Sequence, residues 1–340
     1  MDTSLWYRSF GELEARGQSA IYEQWALGVA GDPALIALID ELPLQKRQPN
    51  LVFACARLLG APEGDYPAFR RWLVRHWSAV EPEALSRSTQ TNEPRRCATL
   101  LPALALIPGP LALLEVGASA GLCLFPDRYS YSYESASTGA DITGPAAHID
   151  PATGPSDVLL RCTTTGRMPP LVTVPQIAWR AGLDLRPLDV RDADDMHWLE
   201  TLVWPEQHER RARLRAAIRI AAQDPPLIVR GDASELAALA AQAPNDATLV
   251  VITSAVLVYL PFAERMRFVE SVRALDARWI SLEGVRGLPT VREALPDDGG
   301  SDGRFVLALD EVPLAFTGPH GQSLDWIAAR ERVSPAWEHV

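Results

Sequence analysis

The residue types best suited to chemistry are concentrated in one stretch, Leu114-Glu115-Val116-Gly117-Ala118-Ser119-Ala120-Gly121-Leu122. Glu115 interrupts the carboxyl end of an apolar run, Leu111 to Val116, where a carboxylate can hold an ammonium group or accept hydroxyl hydrogens. Gly117 and Gly121 permit a tight turn and a close approach of backbone to a bound group. Ala118 and Ser119 keep that turn small. The amides that open a following helix would favour negative charge. Ser119 also stands in Gly-x-Ser-x-Gly, the spacing that lifts a serine hydroxyl onto a sharp turn as a nucleophile. The dinucleotide spacing Gly-x-Gly-x-x-Gly is matched poorly. A strand-turn-helix junction that needs small residues only for packing is the simpler alternative, so the neighbours must decide.

Two further acids follow strand-like runs. Asp184, in Gly182-Leu183-Asp184-Leu185-Arg186-Pro187, stands where an acid after a second strand bonds ribose hydroxyls; its simpler role is the polar residue of a turn. Asp232 and Ala233 follow Leu227-Ile228-Val229-Arg230, and Thr253-Ser254 close the apolar run from Ala247. Groups able to act on a second substrate are Asn92 and Glu93, in the polar segment Gln90-Thr91-Asn92-Glu93, together with Tyr259 and His320. Each has a plainer reading: Asn92 as the cap of a helix with Pro94 in its first turn, Tyr259 as core at a helix entrance, His320 as a turn residue. Cys55, Cys97, Cys123 and Cys162 lack Cys-x-x-Cys spacing and read as buried thiols, so no metal site is expected.

The elements that must position these groups fall into two patterns. Up to about residue 105 apolar residues recur at helical spacing, as in Ile21-Tyr22-Trp25-Val29 and Phe69-Trp72-Leu73-Trp77, and no strand pattern occurs. From about 106 to 340 strands and helices alternate, which implies a parallel sheet covered on both faces. Strands are expected at Leu111 to Val116, Leu227 to Arg230, Ala247 to Ser254 and Arg278 to Glu283. Phe305 to Leu309 with Pro313 to Thr317 should form a closing antiparallel hairpin. Asp127 to Tyr133 alternates like a strand, and Val158 to Cys162 resembles a hairpin arm turning at Thr165-Gly166-Arg167. The Gly-, Pro- and Ser-rich region at about 125–175 reads as a functional insertion or mobile loop. Gln176 to Arg180 reads as helix.

With 340 residues, 47% of them hydrophobic, the chain can bury one large core or two ordinary ones. A net charge of -11 argues against broad nucleic-acid binding and against an anionic membrane surface. The first residues show no basic segment leading into an apolar core, and Pro102, Pro108 and Pro110 divide the most apolar region. A cytoplasmic protein without a membrane span is therefore expected.

Glu115-x-Gly117-x-Ser119-x-Gly121 resembles the first motif of S-adenosylmethionine-dependent methyltransferases, with Ser119 in place of the usual middle glycine. The whole chain resembles an uncharacterised bacterial domain-of-unknown-function family, number 2332. That likeness rests on Gln90 to Glu93, Leu114 to Leu122, Gly182 to Val190, Leu202 to Glu206, Ser254 to Leu257 and Pro319 to Gly321. It implies an α/β fold: a Rossmann-like methyltransferase sheet, mostly parallel with a closing hairpin, behind an all-α N-terminal domain. The family likeness supplies no substrate; the methyltransferase motif implies S-adenosylmethionine as cofactor, and a helical part and insertion covering the pocket would favour a small-molecule substrate. The turn Gly117-Ala118-Ser119 to Gly121 would then pass the methionine part, Glu115 would engage the amino group and Asp184 with Leu185 the ribose. Asp232 and Ala233 would meet the adenine, with Thr253 and Ser254 beside them. Two alternatives stay open: an α/β-hydrolase with Ser119 as nucleophile, against which no strand is expected before Leu111, and a non-catalytic protein that binds a nucleotide-like ligand.

Overall fold

Asp2, Ser19, Asp32 and Asp65 each end an extended segment and start a helix: Thr3–Ser9, Ala20–Ala30, Pro33–Ile39 and Tyr66–Ser86. Each side-chain oxygen accepts a hydrogen bond from a first-turn amide, a donor with no partner inside the helix. The structure, a computed structural model, describes residues 2–136, 147–296 and 303–327. It divides into two compact units, 1–91 with 189–215, and 92–188 with 216–340.

The first unit is helical and is held by aromatic packing. Trp25 and Phe69 stack with ring centroids 3.8 Å apart. Phe53, from the helix Pro49–Leu58, sets its edge against Tyr22, Trp25 and Phe69 at 5.1, 5.5 and 5.5 Å. The segment 189–215 joins this unit through polar contacts to backbone and side chains. Arg57 Nη1 donates to the carbonyls of Thr201 and Val203 at 2.6 and 2.9 Å. Glu206 accepts from Ser19 Oγ at 2.6 Å and the Ile21 amide at 2.9 Å. Trp204 Nε1 donates to Asn50 Oδ1 at 2.9 Å. Leu202 to Glu206 thus has a packing role.

The second unit is built on one sheet. Its strands are β1 Leu111–Val116, β2 Ser130–Ser135, β3 Ala147–Ile149, β4 Leu159–Thr165, β5 Ile177–Asp184, β6 Leu227–Arg230, β7 Thr248–Ser254, β8 Arg278–Gly284, β9 Phe305–Leu309, β10 Val312–Thr317 and β11 Ser323–Trp326. They lie in the order β3-β2-β4-β11-β10-β9-β8-β7-β1-β5-β6. The run β6-β5-β1-β7-β8 is parallel throughout, and β9 and β10 follow as the expected antiparallel hairpin. From β1 the chain adds β5 and β6 on one side, then β7 and β8 on the other. The order therefore reverses between β1 and β7, the place where open parallel sheets hold ligands beyond their carboxyl ends.

Register sorts the side chains. Leu114, Ala181, Val251 and Trp279 lie abreast on one face, in a core that also holds Phe268, Val269 and Val272 of the helix Phe262–Arg273. The other face carries Glu115, with Gly182 of β5 and Ile252 of β7 abreast of it. Two residues further along, Asp184 and Ser254 fall on that same face.

Four expectations need correction. Helix Cys97–Leu104 belongs to the sheet unit, since all its residues are buried and it packs on β4, β8 and β9. Gln176 to Arg180 is not helical: Ile177 onward forms β5, whose first half pairs with β1 and whose second half, from Ala181, pairs with β1 and β6. Val158 to Cys162 starts no hairpin, because β4 runs parallel to both β2 and β11. The turn at 117–121 opens no α-helix, only the single 3-10 turn Leu122–Leu124. The region read as an insertion supplies β2, β3 and β4; its residues 137–146 lie outside the described residues.

No helix among the described residues is long and apolar enough to cross a membrane. Replacing Phe53 by Ala empties the centre of the aromatic cluster and should destabilise the protein by about 3–5 kcal/mol. Leu13, 79% exposed, should tolerate the same change within about 0.5 kcal/mol. Urea unfolding of the two variants checks both values.

Candidate functional site

The turn after β1 is held from three directions. Gly117 and Ala118 donate their amides to the Leu183 carbonyl of β5 at 2.8 and 3.1 Å. Ser119 donates its amide to Asp184 Oδ2 at 2.7 Å and accepts from the Leu188 amide at 3.2 Å. Asn92 uses both ends of its amide: Nδ2 donates to the Ala118 carbonyl at 3.1 Å, and Oδ1 accepts from the Leu122 amide at 2.9 Å. These bonds keep Ser119 at φ 54°, a conformation few non-glycine residues adopt. Gly117, at φ 75°, could carry no side chain, because its Cβ would lie 2.7 Å from Val256 Cγ2.

The three acids sit in graded environments at the ends of adjacent strands. Glu115 is 3% exposed, and its Oε2 makes no hydrogen bond among the described residues. Burial pushes its carboxyl well above the usual range; the Cys123 thiol adds to this, the Arg96 guanidinium opposes it and Asp184 adds to it. Asp184 is half-buried and accepts one amide per carboxyl oxygen, from Ser119 and, at 2.7 Å, from Arg186. Asp232 is exposed and caps the 3-10 turn Ala233–Glu235. Its Oδ1 accepts from the Ser234 hydroxyl at 2.6 Å and the Ser234 amide at 2.8 Å, which together hold its carboxyl below the usual range.

Across the reversal point, Ser254 ends β7 and Ala255 turns the chain at φ 57°. Glu283, at the end of β8, accepts from the amides of Val256 and Leu257 at 3.2 and 3.3 Å. Burial pushes its carboxyl up to about 7, against the pull of those two amides and of Arg96 and Arg265. Arg96 donates from Nε to the Pro319 carbonyl and from Nη1 to the Ser254 carbonyl, both at 3.1 Å. Among the described residues no group of three or more His, Cys, Asp or Glu side chains is placed to hold a metal ion.

A family described as an uncharacterized protein conserved in bacteria, DUF2332, matches residues 5–326. The chain belongs to that family. No curated protein and no solved structure matches it.

In this DUF2332 protein the residues singled out in the sequence take different places. Glu115, Gly117, Ala118, Ser119, Gly121 and Asp184 come together around the turn. Leu185, 67% exposed, follows Asp184 outward, and Asp232 and Ala233 lie at the end of β6. Ser254 shares the Glu115 face. Thr253 does not: its hydroxyl accepts from Trp279 Nε1 at 3.2 Å on the apolar face. Of the groups proposed for a second substrate, Asn92 serves the turn backbone. Glu93 is buried, with Oε1 accepting from the Arg95 amide at 3.0 Å. His320 meets Arg95 Nε and Gln322 through its backbone, and Tyr259 is 77% exposed. Sequence reasoning missed Arg96 and Glu283. Glu283 ends an apolar strand as Glu115 does, which was a usable signal; Arg96 sits beside Arg95 in a pair that looks solvated.

Asn92→Ala strands the buried Leu122 amide and Ala118 carbonyl, and should destabilise the protein by about 2–4 kcal/mol in urea unfolding. Glu283 has the opposite pH signature from an ion-paired acid. Unfolded, it loses its proton near 4.5; folded, it keeps it to about 7. The folded state binds more protons between those values. Its contribution is therefore complete below 4.5 and declines as pH rises to about 7. The loss is on the order of 3 kcal/mol. Glu283→Gln should flatten the fall in stability between pH 5 and 8, measured by urea unfolding against the wild type.

Proposed function

We propose that the protein is an S-adenosylmethionine-dependent methyltransferase acting on a small molecule, with its cofactor across the carboxyl ends of β1, β5 and β6. The observation that carries this reading is the buried, unbonded Oε2 of Glu115 at the reversal of strand order. A buried carboxyl oxygen without a donor is unfavourable, and a ligand ammonium group removes that penalty. Asp184 supports the reading, since each of its oxygens keeps a lone pair after accepting one amide and a ribose offers two hydroxyls. Asp232, one strand further out, is ionised and suits the adenine amino group. The parallel run β6-β5-β1-β7-β8 and the closing hairpin agree with a Rossmann-like methyltransferase sheet.

The chemistry asked of the protein is alignment. The acceptor attacks the methyl carbon in line with the breaking carbon–sulfur bond, and the electrons of that bond stay on the sulfonium sulfur. The acceptor's proton leaves to a base or to solvent. Asn92 is engaged by the turn, so its part in this is to hold the turn's shape.

Titration calorimetry with S-adenosylmethionine and S-adenosylhomocysteine tests the reading. Micromolar binding is expected, weakened at least about tenfold in Glu115→Gln, which keeps the shape of the neutral acid but cannot become an anion. Affinity should rise with pH, because Glu115 must release its proton to pair with the ammonium. No binding of either compound, or an unchanged affinity in Glu115→Gln, overturns it. Binding without turnover across acceptors would leave a non-catalytic binding protein.

A second reading has one observation in its favour: Ser119 sits in Gly-x-Ser-x-Gly at φ 54°, as a nucleophile on a strained turn does. Labelling by a fluorophosphonate that is lost in Ser119→Ala would favour that hydrolase.

A further inference from the structure

Arg96 is a buried charge that the proposed cofactor contacts do not use. It is 5% exposed, and both groups it bonds, the carbonyls of Pro319 and Ser254, are neutral. Its second terminal nitrogen, Nη2, makes no hydrogen bond among the described residues, and no carboxylate forms an ion pair with it there. A guanidinium taken out of water without a counter-ion is strongly unfavourable. Glu115 and Glu283 both lie within reach of its field, yet neither pairs with it.

Beside it is a second unsatisfied group. Ser254 is 7% exposed and its Oγ has no hydrogen-bond partner among the described residues. Its own carbonyl accepts from Arg96 Nη1, so the hydroxyl and the guanidinium are neighbours. Register puts Ser254 on the same face as Glu115, on the adjacent strand. The carboxyl ends of β1 and β7 thus bring together a cation seeking an anion, an idle hydroxyl and a carboxyl oxygen without a donor.

We propose that Arg96, Ser254 and Glu115 form a subsite for an α-amino-acid group, in which Arg96 and Ser254 take the carboxylate and Glu115 takes the ammonium. The planar guanidinium fork matches a carboxylate, and the serine hydroxyl donates to the same oxygens. The set of groups selects an amino acid over a phosphate. A phosphate would engage Arg96 and Ser254 but bring no cation for Glu115, whose Oε2 would stay without a donor, whereas an amino acid brings its own ammonium. The subsite rests on the cofactor reading only for the identity of the larger ligand, because the methionine part of S-adenosylmethionine is one such group.

The test compares S-adenosylhomocysteine with 5′-methylthioadenosine, which lacks the amino-acid group, and adds free L-methionine, L-methionine methyl ester and inorganic phosphate. Binding is read by calorimetry and thermal shift on the full chain. S-Adenosylhomocysteine should bind at least about tenfold tighter than 5′-methylthioadenosine, and L-methionine should outcompete its ester. Arg96→Gln should erase both preferences and leave 5′-methylthioadenosine unaffected. Ser254→Ala leaves the bond from Arg96 to its carbonyl in place; it should weaken S-adenosylhomocysteine alone, by about fivefold. Should Arg96→Gln fail to fold, the Ser254→Ala comparison decides. Amino-acid binding lost in these variants, with no adenosyl compound bound, would sink the cofactor reading and leave the subsite standing. Equal binding of the two adenosyl compounds, unchanged by Ser254→Ala, would sink the subsite and leave the cofactor reading. Phosphate competing as well as L-methionine, or no binding by any probe, also overturns the subsite.

Discussion

Three ionisable side chains are buried at the carboxyl ends of β1, β7 and β8, and no ion pair joins them: Glu115, Glu283 and Arg96. Burying charge is costly, and a structure normally recovers that cost by direct pairing. Here Glu283 and Arg96 bond backbone instead. Glu283 takes two amides of the segment after β7, while Arg96 holds the carbonyl that ends β7 and a carbonyl beyond β10. The segments that follow β7 and β10 are therefore tied to two buried ionisable side chains, Glu283 on β8 and Arg96 on the 3-10 turn Pro94–Arg96. With its field spread between two acids, Arg96 neutralises neither, and both keep their protons well above the ordinary carboxylate range.

Of the four non-glycine residues with positive φ among the described residues, two flank this place; the other two, Asp310 and Glu311, form the turn between β9 and β10. Ser119 and Ala255, neither of them glycine, adopt positive φ on the two sides of the strand-order reversal. Each such residue costs on the order of 1–3 kcal/mol and persists only where its surroundings fix it. Ser119 is fixed by Asp184 and Leu188, Ala255 by the Leu282 carbonyl. The small residues nearby have a reason of their own. A Cβ on Gly182 would lie 2.4 Å from Ala118 Cβ, and one on Gly117 would meet Val256. Close packing within the protein thus accounts for the glycines. The case for a ligand comes from the polar atoms left unsatisfied beside them.

The parts of the fold legible in the sequence are those whose local pattern already contains the answer. β1, β7 and β8 are apolar runs ending in a polar group, and β9 and β10 are two such runs close in sequence. β5 was not legible because its first half, Ile177-Ala178-Trp179-Arg180, becomes a strand only by pairing with β1, more than sixty residues earlier in the chain. Arg180 pairs with Asp127, 53 residues away, which no local window contains. The parallel pairing of β2, β4 and β11 is likewise long-range. At the site, acids after apolar strands could be read and the turn could be read. The burial of Arg96 could not, since Arg95 and Arg96 are alike in sequence and differ only in what folds over them. In the sequence Asn92 fits a reactive group or a helix cap; in the structure its amide bonds the turn at Ala118 and Leu122.

The strand ends form a gradient of charge. On β6, Asp232 is in water and ionised, and on β5 Asp184 is half-buried and bound to amides. On β1, Glu115 is buried and its carboxyl is pushed well above the usual range, and beyond it come Arg96 and Glu283, whose carboxyl burial pushes up to about 7. A neutral hydroxylated group fits the outer half, where acceptors are plentiful and solvent screens their charge. The inner half is different: a lone cation there would leave Arg96 unpaired, and a lone anion would leave Glu115 idle. A ligand carrying both charges at one end and hydroxyls at the other satisfies the whole row without adding net charge to the interior. That matching of ligand polarity to depth, more than the Gly-x-Ser-x-Gly spacing, is the physical ground for reading the crevice as a site.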